Sequence, residues 1–129
     1  MIGTTLSGIT FINWHDVDVN LQDKVIVRED KEFSDSEIAL SVHLESGKQI
    51  GYIPLLSTIE KWGKKAKEEN NLDEYKYLRD KYVGTSVVRD NIINDMYRNN
   101  ISVEGIVSRI ITDDVTGDVK SIGVSFDYM

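Results

Sequence analysis

Histidine and cysteine, two residue types that commonly carry catalysis or bind metals, are sparse in this sequence. Cysteine is absent, which excludes thiol nucleophiles, thiolate metal sites and disulfides. A possible metal trio is His15, Asp16 and Asp18, but side chains so close together on one strand or turn point in alternating directions, which disfavours a shared ion. No nucleophile elbow of the Gly-x-Ser-x-Gly type and no glycine-rich phosphate loop occurs. We therefore expect no catalytic residues, no metal and no cofactor, and a protein that acts by binding.

One basic cluster has residue types that suit nucleic acid, because cations contact phosphates and aromatic rings stack on bases. It spans residues 61–67, where four lysines surround a tryptophan. Two glutamates follow directly, so an ordinary solvated helix face is the preferred interpretation, with the tryptophan packing the helix onto the rest of the domain. A local DNA contact is the alternative. Its candidate residues are Lys61, Trp62, Lys64 and Lys65.

Three aromatic residues elsewhere could stack on unpaired bases, which contributes ~1–3 kcal/mol per base. Phe11 lies in an apolar segment, where core packing is the preferred interpretation. Phe33 stands alone in a charged loop, so packing and stacking are equally good interpretations there, and Tyr52 lies in a predicted strand. Arg28 could hold a phosphate with its planar fork, but an ion pair with a neighbouring carboxylate is the preferred interpretation.

Length and composition indicate one globular domain spanning residues 1–129, with 40% hydrophobic and 29% charged residues and a single proline. The net charge of −7 works against unspecific attraction to a phosphate backbone, so any nucleic-acid site must be local. No apolar stretch approaches the ~20 residues of a membrane-spanning helix, and the first residues lack the pattern of a secretion signal. We expect a cytoplasmic protein without membrane contact.

The first 54 residues have β-type composition. The turn around Gly47 joins two apolar runs into a predicted antiparallel hairpin, because glycine accepts a positive φ at no steric cost. Strands are predicted over residues 4–14, 24–29, 38–44 and 49–53.

After Pro54 the sequence becomes rich in helix formers. Apolar residues recur at helical spacing on both sides of Asn70-Asn71, which predicts two helices with a break there and Asn71 or Asp73 as a cap. A third short helix is predicted near residues 92–97, and a hairpin of two strands over residues 101–112 and 119–128. Strands on both sides of the helices predict a closed sheet with a helical insertion rather than two domains.

Four segments in residues 27–54 follow one another in a characteristic order. They are Val27-Arg28-Glu29, then Asp35, then Ala39-Leu40-Ser41-Val42, then Gly47-Lys48-Gln49-Ile50-Gly51-Tyr52-Ile53-Pro54. In order and in nearly all spacings this series resembles the signature of the HIRAN family, and Gly8-Ile9-Thr10-Phe11 looks like that family's first strand. The resemblance implies a small six-stranded β-barrel, OB-like or SH3-like. Two to three helices would be inserted at about residues 55–98, before the C-terminal hairpin.

The resemblance also implies a function. HIRAN domains are attached to fork-remodelling helicases or occur as free-standing bacterial and phage proteins, and some capture the 3′ end of single-stranded DNA. It therefore implies a non-enzymatic module that engages single-stranded DNA or its 3′ end. The positions matching the end-binding pocket are Thr10, Phe11, Arg28, Asp35, Lys48 and Tyr52, and Phe33 lies in the same loop.

The loop after Glu29 departs from the signature. It has Asp30, Glu32, Phe33 and Ser34 where the family pattern has Pro, Asn, Pro and Tyr, and one extra residue before Ala39. Glu32 would set a carboxylate close to a phosphate-binding pocket, which is repulsive. This leaves a second hypothesis, a protein-interaction or inhibitor module that acts on a nucleic-acid enzyme without binding DNA. Its contact surface would be the acidic stretches 29–37 and 113–118 together with the helical insertion.

Overall fold

The computed structural model describes residues 1–128, which form six strands, two α-helices and two short 3-10 helices. The strands are β1 Ile2–Thr5, β2 Lys24–Glu29, β3 Leu40–Leu44, β4 Gln49–Ile53, β5 Glu104–Thr112 and β6 Val119–Phe126. The helices are α1 Leu56–Glu68 and α2 Leu72–Tyr97, and the 3-10 helices are Ile9–Phe11 and Trp14–Asp16.

The strands form one antiparallel sheet in the order β1-β6-β5-β2-β3-β4. The sheet curls into a half-barrel, and its two outer edges meet just beyond the end of β1. There Ser7 and Tyr52 exchange two backbone hydrogen bonds, each with an N···O distance of 2.9 Å. The predicted mainly β fold, a small barrel with helices inserted before the last strands, is therefore confirmed.

The core lies on the concave side of this sheet. Side chains of β2 point alternately to the two faces of the sheet, so Val25 and Val27 are buried while Lys24 and Arg28 face outward. Helix α2 adds Val88 and Ile92 to the same core. The other fully buried members are Leu40, Val42, Ile50, Ile53, Val107, Ile122, Val124 and Phe126.

The predicted first strand over residues 4–14 is wrong beyond Thr5. Gly8 has a left-handed backbone with φ of 73°, which turns the chain out of the sheet and begins the first 3-10 helix. The Trp14 indole then donates a hydrogen bond to the Ile9 carbonyl at 3.0 Å and stabilises the second turn. Thr, Ile and Phe favour a strand by composition, but the left-handed backbone of Gly8 determines the direction of the chain.

The insertion contains two helices, not three. Its observed span of 56–97 agrees with the predicted one, and the break at Asn70 is confirmed: Asn70 has a φ of 57° and the Asn71 side chain accepts a hydrogen bond from the Glu74 backbone N–H at 3.2 Å. The predicted third helix is the C-terminal part of α2, which continues through Gly84. One interior glycine costs a helix about 1 kcal/mol, and the buried Val88 and Ile92 outweigh that cost.

Helix α1 is amphipathic, and α2 contributes buried residues to the core. Within residues 1–128, neither is long and apolar enough to cross a membrane.

Closure of the barrel requires a glycine at position 51. Gly51 has a φ of +150°, and a Cβ there would lie 2.9 Å from the Ser7 carbonyl oxygen and 3.1 Å from the Leu6 Cβ. Such a φ is unfavourable for other residues, and the Ser7 carbonyl belongs to the hydrogen-bonded closure itself.

We predict that Gly51→Ala lowers the free energy of unfolding by about 1–3 kcal/mol, because backbone strain and the clash with Ser7 add to each other. Urea unfolding followed by tryptophan fluorescence measures this. The matched control is Gly63→Ala in α1, where an added Cβ has nothing within 4 Å; it should raise stability by about 0.5–1 kcal/mol. Equal stability of Gly51→Ala and the wild type would contradict the closure.

Candidate functional site

An open cavity of about 560 Å³ lies where the residues after β1 meet β4. We call it the aromatic cavity, because Phe11, Phe33 and Tyr52 all line it. The segment after β1, the loop between β2 and β3, strand β4 and the start of α1 each supply part of its wall. The other lining residues are Ser7, Gly8, Ile12, Ala39, Gln49, Ile53, Leu55 and Thr58.

Two of these aromatic side chains are largely exposed. Phe11 is 91% exposed and Phe33 is 62% exposed. The predicted core packing of Phe11 is therefore wrong: the 3-10 turn that begins at Gly8 buries Ile9 and directs Phe11 outward. Large apolar side chains left in solvent around a concave surface indicate a binding site.

Tyr52 forms a fixed wall of the cavity. Its backbone is held by the bridge to Ser7, and its ring packs against Gly8, where an added Cβ would lie 3.1 Å from the ring. The phenol donates a hydrogen bond to the Asp30 carboxylate at 2.7 Å. Burial raises the pKa of Tyr52, and the Asp30 carboxylate raises it further, so the phenol stays neutral. Phe33 meets the Tyr52 ring edge-on, with centroids 6.2 Å apart.

The loop that carries Phe33 is closed by Ser34. The Ser34 hydroxyl donates to the Asp30 carbonyl and accepts from the Ala39 N–H, both at 3.0 Å, and the Asp30 N–H bonds the Ala39 carbonyl at 2.8 Å. Ser34 is one of the departures from the HIRAN signature, and here it has a structural role.

Two further residues, which the sequence did not single out, anchor this loop to the helices. The Glu37 carboxylate accepts hydrogen bonds from the backbone N–H groups of Leu56 at 2.8 Å and Ser57 at 2.9 Å, and so caps α1. Arg89 of α2 is buried and donates to the Ile38 carbonyl at 2.6 Å. Both contacts join residues far apart in sequence, so no local pattern reveals them.

The pKa of Glu37 reflects this position. Burial acts to raise it, but the hydrogen bonds from Ser57 and Leu56 and the nearby Arg89 guanidinium outweigh burial, and the net shift is downward. The charged form of Glu37 therefore contributes to stability.

Arg28 lies on the same outer face of the sheet as Tyr52. In the register, Arg28 pairs with Ser41, and Ser41 pairs with Tyr52, so the three side chains form a row across three strands. The preferred ion pair of Arg28 is wrong: within residues 1–128, no carboxylate oxygen lies within 4.0 Å of its guanidinium. Alternation directs Arg28 to the outer face of the sheet, where its side chain is exposed to solvent.

The remaining predicted pocket residues do not line the aromatic cavity. Thr10 lines a separate, smaller cavity with His15 and Asp118. Lys48 is exposed after the turn between β3 and β4. Asp35 is exposed in the acidic loop, where its N–H donates to the Glu37 carbonyl at 3.1 Å. The structure thus brings together Phe11, Phe33 and Tyr52, whereas Thr10, Asp35 and Lys48 lie outside this cavity.

The basic cluster forms part of the helical hairpin. Lys61, Lys64 and Lys65 are exposed on α1, and Trp62 is 40% exposed with its ring beside Lys81 of α2. A groove of about 490 Å³ runs between the two helices. We call it the interhelical groove; its charged and aromatic lining residues are Glu60, Lys64, Lys67, Tyr75, Arg79 and Tyr82.

Metal-ligating side chains do not gather in the part of the chain that the structure describes. No group of three or more His, Asp or Glu residues there could hold an ion. The nearest arrangement is the pair His15 and Asp118, whose Nε2 and Oδ1 atoms are 3.9 Å apart at the surface.

Comparison with known proteins gives no match: no protein-family profile, no curated protein and no solved structure matches this chain. The fold and site together define a small half-barrel with a helical insertion and an aromatic surface cavity.

We predict that Glu37→Gln loses stability relative to the wild type above about pH 5 and that this difference shrinks below about pH 4. A carboxyl group whose folded pKa is lowered stabilises the fold above its unfolded pKa, and this contribution is lost as the pH falls through the folded value. Unfolding free energies measured across this range test the sign.

The control is Glu32→Gln in the same loop, because the Glu32 carboxylate accepts no hydrogen bond within residues 1–128. It should show a smaller change. A Glu37→Gln difference that stays constant or grows at low pH would argue against the capping role.

Proposed function

We propose that this chain is a non-enzymatic, HIRAN-like module that binds single-stranded DNA and seats an unpaired terminal base in the aromatic cavity. The observation that carries the proposal is the exposure of Phe11 and Phe33 beside Tyr52 around one open cavity. A base offers a π-face to any of these rings, so stacking needs no particular sequence.

The shape of the site favours one splayed nucleotide rather than a continuous strand. The bridged residues Ser7 and Tyr52 line the cavity, and so does Phe33 from the loop between β2 and β3. The cavity volume of about 560 Å³ falls within the range of about 300–1,000 Å³ that is typical of small-ligand sites. Preference for the 3′ end is what the HIRAN resemblance implies.

The charge distribution favours the base inside the cavity and the phosphate outside it, close to cationic side chains. Asp30 and Glu32 lie in the loop next to the cavity and repel phosphate, whereas Arg28 projects from the same outer face as Tyr52 without an ion pair in residues 1–128. The lysines of the interhelical groove offer a second phosphate contact. Since few cations take part, the logarithm of the affinity should fall only gently with the logarithm of salt concentration, with a slope of about −1 to −2.

Fluorescence anisotropy with labelled single strands that carry free or blocked 3′ ends tests this proposal. We predict binding of the free end and a loss of about 5- to 150-fold on Phe11→Ala or Phe33→Ala, which corresponds to ~1–3 kcal/mol per stacked base. The control is Val115→Ala, an apolar residue that is 93% exposed in the turn between β5 and β6. Absence of binding at low salt, or equal binding by the double variant Phe11→Ala/Phe33→Ala, would refute the proposal.

A second function has one specific observation in its favour. The aromatic cavity is apolar, while Phe33 at its edge is flanked in sequence by Glu32 and Asp35. An apolar site with an acidic rim suits a protein partner with an apolar side chain among basic ones, such as a nucleic-acid enzyme. The acidic stretch 113–118 supports this less, because the Asp113 carboxylate accepts hydrogen bonds from Val115 and Thr116 within its own turn.

A pull-down from nuclease-treated lysate separates the two functions. The interaction hypothesis predicts that a basic nucleic-acid enzyme is recovered without DNA and is lost with Glu32→Lys or Phe33→Ala. Recovery that requires added DNA would count against it and for DNA binding.

A further inference from the structure

A second cavity, of about 400 Å³, lies between the middle of α2 and strands β1, β5 and β6. We call it the α2 cleft. It shares no lining residue with the aromatic cavity or the interhelical groove. At its base the hydroxyls of Thr4 and Thr85 are hydrogen-bonded at 2.9 Å in a buried contact that joins β1 to α2. The cleft is therefore part of how the helix is docked on the sheet.

Two cations line this cleft from different elements. Lys81 comes from α2 and Arg109 from β5. The Arg109 Nη2 donates a hydrogen bond to the Thr5 hydroxyl at 2.7 Å, which orients the guanidinium. The Lys81 Nζ lies 5.9 Å from the centroid of the Tyr77 ring, which also lines the cleft.

Neither cation has a counterion among residues 1–128. No carboxylate oxygen lies within 4.0 Å of the Lys81 ammonium or the Arg109 guanidinium, although Asp80 lines the same cleft. Burial lowers the pKa of Lys81, and the charge of Arg109 lowers it further, against a weaker opposing effect of Glu74. The two like charges therefore act on each other in a partly desolvated setting, and a bound anion would offset their repulsion.

The cleft has room for a ligand. Gly84 faces it from α2, and a Cβ added at Gly84 would meet no atom within 4 Å. Tyr77 is 53% exposed and offers a ring face to a planar group. A guanidinium and an ammonium together match the charge of a phosphate monoester better than that of a single carboxylate.

We propose that the α2 cleft binds a phosphate-bearing small molecule, of the size of a mononucleotide, with its phosphate between Lys81 and Arg109 and its planar group against Tyr77. This site is independent of the DNA site proposed above. It would make the helical insertion a ligand-binding element and not merely a cover for the barrel.

The test is an NMR titration of amide chemical shifts with inorganic phosphate and with adenosine monophosphate, against chloride at equal ionic strength. We expect saturable shifts around residues 77–85 and 105–109, with adenosine monophosphate binding more tightly than phosphate. Lys81→Met should weaken binding at least about 10-fold, whereas Lys76→Met, which removes the same charge from an exposed position of α2, should leave it unchanged.

A second pair of variants keeps the charges of Lys81 and Arg109 and changes only the free volume of the α2 cleft. Gly84→Leu fills the cleft with a residue that favours helix, and it should abolish the saturable shifts while the protein stays folded. Gly63→Leu, at an open glycine of α1, is its control. Phe11→Ala/Phe33→Ala should leave the mononucleotide-induced shifts of residues 77–85 intact, which separates this site from the aromatic cavity.

Three outcomes would overturn the proposal. The first is equal binding by wild type, Lys81→Met and Gly84→Leu. The second is the absence of saturable shifts in residues 77–85. The third is binding there of a 5′-phosphorylated oligonucleotide but of neither inorganic phosphate nor the mononucleotide, since the cleft would then serve DNA rather than a small molecule.

Discussion

Two backbone hydrogen bonds between Ser7 and Tyr52 join the outer edges of the sheet, and both the barrel and the aromatic cavity depend on them. They require Gly51, because a side chain there would collide with the Ser7 carbonyl, and the adjoining Gly8 leaves room for the Tyr52 ring. The closure thereby fixes Tyr52 as a wall of the cavity. The Gly51-Tyr52 pair that resembles the HIRAN signature thus has a physical reason in this fold. Gly51 leaves room for the segment of Leu6 and Ser7, and the Tyr52 backbone binds Ser7.

The helical insertion is coupled to this closure through the acidic loop. Glu37 caps α1, and the buried Arg89 of α2 bonds the Ile38 carbonyl, so both helices hold the loop that carries Phe33. Disturbing the cap of α1 or the Arg89 contact of α2 should therefore change the aromatic cavity as well as stability. The insertion contributes to the site by positioning a loop, and the α2 cleft lies elsewhere, between α2 and strands β1, β5 and β6.

Local patterns predicted the parts of the structure that local forces decide. The run of β-branched residues 25–27 located β2, the Gly47 turn located β4, and paired asparagines marked the break between the helices. The segment after Thr5 was misjudged because a single left-handed glycine overrides strand composition. Residue type alone identifies the three aromatic residues of the site. It does not predict that Phe11 is exposed, because the turn at Gly8 decides that. No local pattern marks Glu37 and Arg89, because their hydrogen-bond partners lie far away in sequence.

We propose that an unpaired base enters the aromatic cavity, and the position of the bound ligand can be measured directly. Amide chemical shifts of the intact chain, titrated with a short single-stranded oligonucleotide, report which residues meet the ligand. We expect saturable shifts centred on Ser7, Phe11, Phe33 and Tyr52. Saturable shifts confined to the interhelical groove, or no shifts at all at low salt, would contradict it.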